Sequence, residues 1–256
     1  MYQEIKLLYE EGISPKAISS NAIELLLNAN RVAENKVEDL TRKIGISSYG
    51  EYKTPIVVKP IPPGDGVING FTDGSVIGVN AYIVPKTKYF SRFSSWLSEL
   101  KNKNRFAKYL YEKTIVKPVR NLIETLVHEY LHKETQFKIK YGNNGEETNF
   151  ISDVYKATTE YLEERLPKFF KPFAKKLAKY FVVPVIEGVN EALTKETLNE
   201  PISEEPTTTY DIYARYARKA LEALGYLPSE FYRDYFKNGN SYYNVKNLVK
   251  KFYSEN

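Results

Sequence analysis

The sequence predicts an α+β fold, with helices before and after one small, mainly antiparallel β-sheet. Apolar residues recur every three or four positions in the first 45 residues and again in most of the chain after Phe90, which indicates helices in both regions. Between them, residues 53–85 contain short β-branched runs and an Asp-Gly pair, which indicates strands joined by a tight turn. Segregated helices and strands of this kind are typical of α+β proteins.

The elements follow in order along the chain. Gly45 is suited to end the N-terminal helices, because glycine adopts the left-handed conformation that often follows a helix. Asp73-Gly74 is the expected turn of a hairpin whose second strand covers residues 75–84. Further on, Pro, Gly and Thr residues mark the ends of the remaining helices. We expect these helices over residues 118–136, 149–166 and 210–224.

Length and composition place the chain among ordinary globular proteins. Its 256 residues suit one large domain or two small ones, and we expect residues 1–166 to form the sheet-containing region and 167–256 a helical subdomain. The chain has no cysteine, which excludes disulfides and thiolate metal sites.

Charge and targeting signals narrow the class further. A net charge of +5 is too modest to indicate a nucleic-acid-binding protein. The absence of a signal-peptide pattern and of long apolar runs predicts a soluble intracellular protein. Abundant Lys and Glu favour a thermophilic source.

One sequence motif predicts a metal-binding site. Residues His128-Glu129-Tyr130-Leu131-His132 form H-E-x-x-H inside a predicted helix and contain both histidines of the chain. Residues four apart lie on one helix face, so both imidazoles can bind one zinc ion at about 2.0–2.1 Å. Glu129 is then placed to take a proton from metal-bound water as a general base. The competing interpretation is a helix with two solvated histidines.

The third metal ligand is expected to be a carboxylate, since no third histidine or cysteine exists. On the helix over residues 149–166, three acids lie along the border of the apolar face when residues are placed at the helical period. Glu160 is the preferred ligand, Asp153 is the alternative ligand, and Glu164 is a further ligand candidate or an acceptor for a histidine N–H. Glu163 points to solvent.

With these residues the sequence resembles the zincin metallopeptidases, and among them the glutamate-liganded gluzincins, over residues 55–166. The resemblance implies a zincin-like fold, one zinc ion per chain and hydrolysis of a peptide or protein substrate. It also implies that a strand bordering the cleft binds the substrate backbone. The candidate strand segment, similar to an Asn-Ala-aromatic stretch in the family, is Val79-Asn80-Ala81-Tyr82.

The family commonly adds a Tyr, His or Arg that stabilises the oxyanion. No histidine is left for this, so Tyr210, Tyr213 and Arg215 are the candidates, and simple packing or surface roles are the alternative for each. The rival function is a catalytically degenerate accessory protein with weak affinity for polyanions. The presence of Glu129 favours the enzyme, because a purely structural zinc site needs no general base.

A second feature is the alternation of lysines with aromatic residues over 168–180. We interpret this segment as a core-packed helix with a solvated lysine face. The alternative is a basic amphipathic helix that lies on a membrane surface or a nucleic acid.

Overall fold

The computed structural model describes residues 20–46, 54, 56–59, 69–80, 96, 98–141, 147–205, 208–237 and 241–254. These residues are mostly helical and include a small three-stranded sheet, which confirms the α+β class. None of the helices in these ranges combines the length and the apolar character needed to span a membrane. The helices are α1 (Ser20–Ile44), α2 (Arg105–Tyr111), α3 (Lys117–Leu131), α4 (Phe150–Arg165), α5 (Ala174–Leu198), α6 (Thr209–Ala223), α7 (Pro228–Lys237) and α8 (Ser241–Ser254).

The sheet is mixed, which corrects the expectation of a mainly antiparallel one. Its strands β1 (Ile56–Lys59), β2 (Gly70–Thr72) and β3 (Ile77–Asn80) lie in the order β1-β3-β2. β3 pairs antiparallel with β2, but parallel with β1. Parallel strands are typically buried on both faces, and the described side chains of β1 and all of β3 are buried. A second, two-stranded sheet joins β4 (Lys140–Tyr141) to β5 (Glu147–Thr148).

The hairpin between β2 and β3 turns at the predicted Asp-Gly pair. Gly74 has a φ of +89°, a conformation that glycine adopts without steric cost. The Asp73 carboxylate accepts hydrogen bonds from the backbone N–H groups of Ser75 at 2.8 Å and Val76 at 3.1 Å. These local bonds fix the turn and therefore the register of β2 against β3.

The H-E-x-x-H motif lies on a long helical segment that contains two π turns. The segment begins at Asn104, whose side chain accepts from two backbone N–H groups of the first turn of α2. Pro118 is the second residue of α3, which continues from the π turn Glu112–Val116 without a break. The second π turn, His132–Gln136, follows α3 and ends where Phe137 N–H donates to the His132 carbonyl at 3.0 Å. π turns of this kind occur frequently at functional sites.

The described residues fall into two compact units, one within Met1–Val37 and Gly50–Tyr130 and the other within Glu38–Tyr49 and Leu131–Asn256. This division differs from the boundary expected after residue 166. In the second unit, Leu162 of α4 packs on Ala174 and Ala178 of α5, so helices on both sides of that boundary share one core. The same unit contains a cluster of buried rings in which Phe150 contacts Phe231, Tyr232 and Tyr235.

Candidate metal centre

The two histidines lie on one continuous helical segment, as predicted. His128 belongs to α3 and His132 begins the π turn that follows. Leu122, Leu126 and Leu131 on the same segment are fully buried and hold it in place. His128 exposes 8% and His132 7% of its surface, so neither is a solvated surface histidine. The competing interpretation of two solvated histidines is therefore inconsistent with the structure.

A carboxylate joins the two imidazoles. Among the described residues, His128, His132 and Glu187 bring one potential ligand atom each to within 4.8 Å of one another. His132 Nε2 lies 3.2 Å from Glu187 Oε2. Two ligand atoms at opposite ends of a tetrahedral edge around zinc are separated by about 3.3 Å. This donor set and this spacing fit a zinc ion with three protein ligands.

Glu187 owes its position to the close packing of α5 against α6. A Cβ atom added to Gly188 would lie 2.4 Å from the Tyr213 carbonyl oxygen, so only glycine permits this approach next to Glu187. The sequence contained a signal for Glu187, because it is the one charged residue in the apolar run over residues 181–189. Sequence reasoning considered only the helix directly after the histidines and missed it.

The second ring nitrogen of His132 is held by Gln136. His132 Nδ1 lies within hydrogen-bonding distance of Gln136 Oε1. The Gln136 amide nitrogen donates to the Ile186 carbonyl at 3.1 Å and to the Tyr232 hydroxyl at 3.3 Å. Gln136 is fully buried. A histidine whose Nδ1–H donates to an acceptor presents Nε2 as its free ligand atom, so Gln136 orients His132 toward Glu187.

Tyr232 completes this buried arrangement. Burial raises the pKa of its hydroxyl, and the nearby charge of Glu187 adds to the rise. The hydroxyl therefore stays protonated beyond its ordinary range, and its oxygen accepts from Gln136, although this bond acts to lower the pKa. No local pattern in the sequence indicates Tyr232, because its interaction with Gln136 depends on how α7 packs.

Glu129 lies outside the group of three ligand candidates. It exposes 7% of its surface. A Cβ atom added to Gly70 would lie 2.8 Å from both Glu129 Cγ and Glu129 Oε1, so the carboxylate lies directly against β2. Glu129 thus has a buried carboxylate, but this carboxylate is not one of the three ligand candidates His128, His132 and Glu187.

The structure places Glu160 elsewhere, which corrects the expected third ligand. Lys246 Nζ of α8 donates to Glu160 Oε2 at 2.7 Å. Burial acts to raise the pKa of Glu160, but the hydrogen bond from Lys246, with the charges of Lys246 and Lys156, outweighs it and lowers this pKa. Glu164 is likewise paired, with Lys250 Nζ at 3.2 Å. The predicted border position of these acids faces the lysines of α8.

Asp153, the alternative ligand, is also engaged away from the histidines. Its carboxylate accepts from the Thr148 hydroxyl at 2.8 Å and from the Tyr235 hydroxyl at 3.0 Å. Lys140 Nζ lies 3.5 Å from the same carboxylate. Asp153 therefore anchors β4, β5 and α7 on the first turn of α4.

The predicted substrate strand is also corrected. Val79 pairs with Val58 of β1 on one side and with Gly70 of β2 on the other, so both backbone edges of β3 are occupied. Asn80 pairs with Lys59, and its N–H donates to the Asn69 carbonyl at 2.8 Å. Ala81 and Tyr82 lie outside the described residues. A strand can be added only at an edge, and β2 is the edge strand in contact with Glu129.

The three oxyanion candidates lie on α6, and none is in the group of three. Arg215 Nη1 donates to the Glu204 carbonyl at 3.0 Å. Tyr210 is exposed in the first turn of α6. Tyr213 places its backbone carbonyl against Gly188.

Comparisons of the chain with protein-family models, with curated proteins and with solved structures find no match.

Proposed function

We propose that the protein is a zinc-dependent peptidase that binds one zinc ion per chain through His128, His132 and Glu187. The observation that carries the proposal is the convergence of these three side chains within 4.8 Å. Two imidazole nitrogens and one carboxylate oxygen are a donor set of catalytic zinc sites, which leave one position for water or substrate. A structural zinc site is closed by a fourth protein ligand, and the group among the described residues has three members.

Glu129 supplies the proton transfer in this proposal. A bound zinc ion would polarise the scissile carbonyl and lower the pKa of its water to about 7. The Glu129 carboxylate, next in sequence to His128 and only 7% exposed, then accepts the proton and passes it to the leaving amine. It lies against Gly70 of β2 and outside the group of three ligand candidates.

The edge of β2 is the proposed binding site for the substrate backbone. β2 has β3 on one side, and it is the last strand on its other side within the described sheet. An extended peptide can add to such an edge through main-chain hydrogen bonds. Contact between Gly70 of β2 and Glu129 would bring that peptide next to the general base. This strand replaces β3 in the role that the sequence suggested.

The rival function is a binding or accessory protein that keeps the metal site without catalysis. Glu129 lies next to His128 in sequence, beside a group of three ligand candidates. A carboxylate there has a direct use in hydrolysis as a general base and none in a structural zinc site. We therefore favour the enzyme.

The test combines metal analysis with one isosteric substitution. We expect purified protein to bind one zinc ion per chain and to cleave peptides in a mixture derived from a denatured protein, as read by mass spectrometry. Glu129→Gln should retain zinc and lower hydrolysis by about 10²- to 10⁴-fold, the usual worth of a general acid–base group. Glu163→Gln, at an exposed position of α4, is the matched control and should remain active.

Two results would overturn the proposal. One is a protein that binds no zinc, cobalt or nickel after exposure to each metal and removal of the excess. The other is undiminished hydrolysis by Glu129→Gln, since this would remove the general base from the reaction. Retained zinc with no hydrolysis of any peptide in the mixture would favour the accessory protein.

A further inference from the structure

The surface around the start of α5 exposes aromatic rings that the core does not use. Phe169 is 79% exposed and Tyr180 is 73% exposed, while Phe170 and Phe173 are about half exposed at 49% and 50%. The inward side of this part of α5 consists of Ala174 and Ala178, both fully buried. The segment was expected to pack its aromatic residues in the core. Instead, small alanines make the helix contact and the large rings point outward.

Lysines surround these rings. The five lysines of the segment are all exposed: Lys168, Lys171, Lys175, Lys176 and Lys179. No Asp or Glu occurs in the sequence between Glu164 and Glu187. In the described part of the chain, no ion pair involves any of these five lysines. We refer to residues 168–183 as the basic aromatic segment.

The rings and the charges share one side of the helix. Phe173 and Tyr180 are seven residues apart, which is close to two helical turns and places them on the same face. Lys176 lies between them along that face. Phe169 is 79% exposed and Tyr180 is 73% exposed, so these two rings protrude from the surface and do not line a groove.

We propose that the basic aromatic segment binds the surface of an anionic phospholipid bilayer. Lysines near an anionic leaflet are attracted by its negative surface potential. Aromatic rings beside them gain by entering the boundary between headgroups and acyl chains, and such rings are common at that depth. The charge complementarity is the argument for this occupant. The interaction would hold the protein on the surface without crossing the bilayer.

A nucleic acid fits the segment less well. Proteins that bind single strands stack bases on rings within a positively charged groove that follows the backbone, and these rings protrude. All five cations of the segment are lysines, whereas arginine is preferred where phosphates are bound in a bidentate manner. A second copy of this chain would meet five like charges, which opposes self-association through this surface.

Vesicle flotation tests the proposal without any measurement of hydrolysis. The probes are phosphatidylcholine vesicles with about one third phosphatidylserine, matched against vesicles of phosphatidylcholine alone. We expect binding to the anionic vesicles only, with release when salt is raised from about 0.1 M to about 1 M. Lys176→Gln/Lys179→Gln should weaken binding roughly 25-fold, since one lysine near an anionic surface contributes on the order of fivefold and the two contributions multiply.

Two further variants separate charge from ring insertion. Lys43→Gln/Lys219→Gln removes the same charge at two exposed lysines elsewhere and should bind as the unaltered protein does. Phe169→Ser changes a ring that is 79% exposed, so the fold should be unaffected, and binding to anionic vesicles should fall at least several-fold.

Several outcomes would overturn the proposal. These are the absence of binding, equal binding to both kinds of vesicle, and equal weakening by the two lysine double variants. Tighter binding of a single-stranded oligonucleotide than of the vesicles would assign the segment to nucleic acid instead. A dimer in sedimentation that Phe169→Ser dissociates would assign it to self-association.

Discussion

Glu187 Oε2 lies 3.2 Å from His132 Nε2, although the two residues are 55 positions apart in sequence. The contact joins the π turn after the H-E-x-x-H motif to the middle of α5. Immediately beside it, Gln136 links the other side of the His132 ring to the Ile186 carbonyl. The position of the carboxylate and the orientation of the imidazole therefore depend on the same packed helix.

Glu187→Ala should lower zinc affinity by more than about 100-fold, because even groups that only support a ligand are worth 10- to 100-fold. Glu160→Ala is the matched control, since it removes the same side chain from the originally expected position, where it pairs with Lys246. Competition with a chromogenic chelator measures both affinities. If Glu160→Ala lost more zinc affinity than Glu187→Ala, the third ligand would have to be assigned to α4.

The sequence was sufficient for the parts of the site that depend on local spacing. Two histidines four apart on a helix lie on one face by helical period alone, close enough to reach one metal ion. The same period correctly placed Glu160 at the border of the buried face, but it could not show that Lys246 of α8 covers that border. Which helix packs against a given face is a tertiary property, and Glu187 enters the site only through such packing.

The sheet shows the same division between local and long-range information. The Asp73-Gly74 turn was predictable, because its hydrogen bonds join residues no more than three positions apart. The parallel pairing of β1 with β3 depends on residues about twenty positions apart and left no mark in the local pattern. The local pattern could not show that β3, the strand expected to bind substrate, lies at the centre of the sheet and not at its edge.

Gln136→Leu should weaken zinc binding about 10- to 100-fold, the usual effect of losing a group that orients a metal ligand. Gln136→Glu is the matched variant, because its carboxylate can still accept from His132 Nδ1. Both variants lose the amide that donates to the buried Ile186 carbonyl, so both should lose about 1–3 kcal/mol of unfolding free energy. Zinc titration and denaturant unfolding separate the two effects, and equal zinc affinity of the variants would contradict the orienting role.

Gly70→Ala should lower kcat on the order of 10²-fold while zinc stays bound, since displacements of about 1 Å at a reacting group have effects of this size. The added methyl would lie 2.7 Å from Thr125 Cγ2 and 2.8 Å from Glu129 Oε1, so Glu129 must move. Ser75→Ala in the exposed turn of the same hairpin is the control and should keep full activity. Unchanged turnover by Gly70→Ala would show that the carboxylate position against β2 is not the reactive one.

Lys246→Gln should lower the melting temperature at neutral pH, and the difference from the unaltered protein should vanish in acid. Burial acts to raise the pKa of Glu160, but the hydrogen bond and the charge of Lys246 outweigh it and hold this pKa below its ordinary value of 4.5. A lowered carboxyl pKa means that the unfolded chain takes up its proton first as the pH falls. The stabilisation is therefore complete above the unfolded pKa and is lost as the pH falls through the lower folded value.

Calorimetry of both proteins from neutral pH into this acid range measures the effect. Lys219→Gln, an exposed lysine of α6, is the control and should show no such convergence. Zinc affinity is the second readout, because Lys246→Gln should leave it unchanged if Glu160 belongs to α8 and not to the metal. A marked gain in zinc affinity would mean that Lys246 had been competing for a metal ligand, and the assignment of Glu187 would then have to be revised.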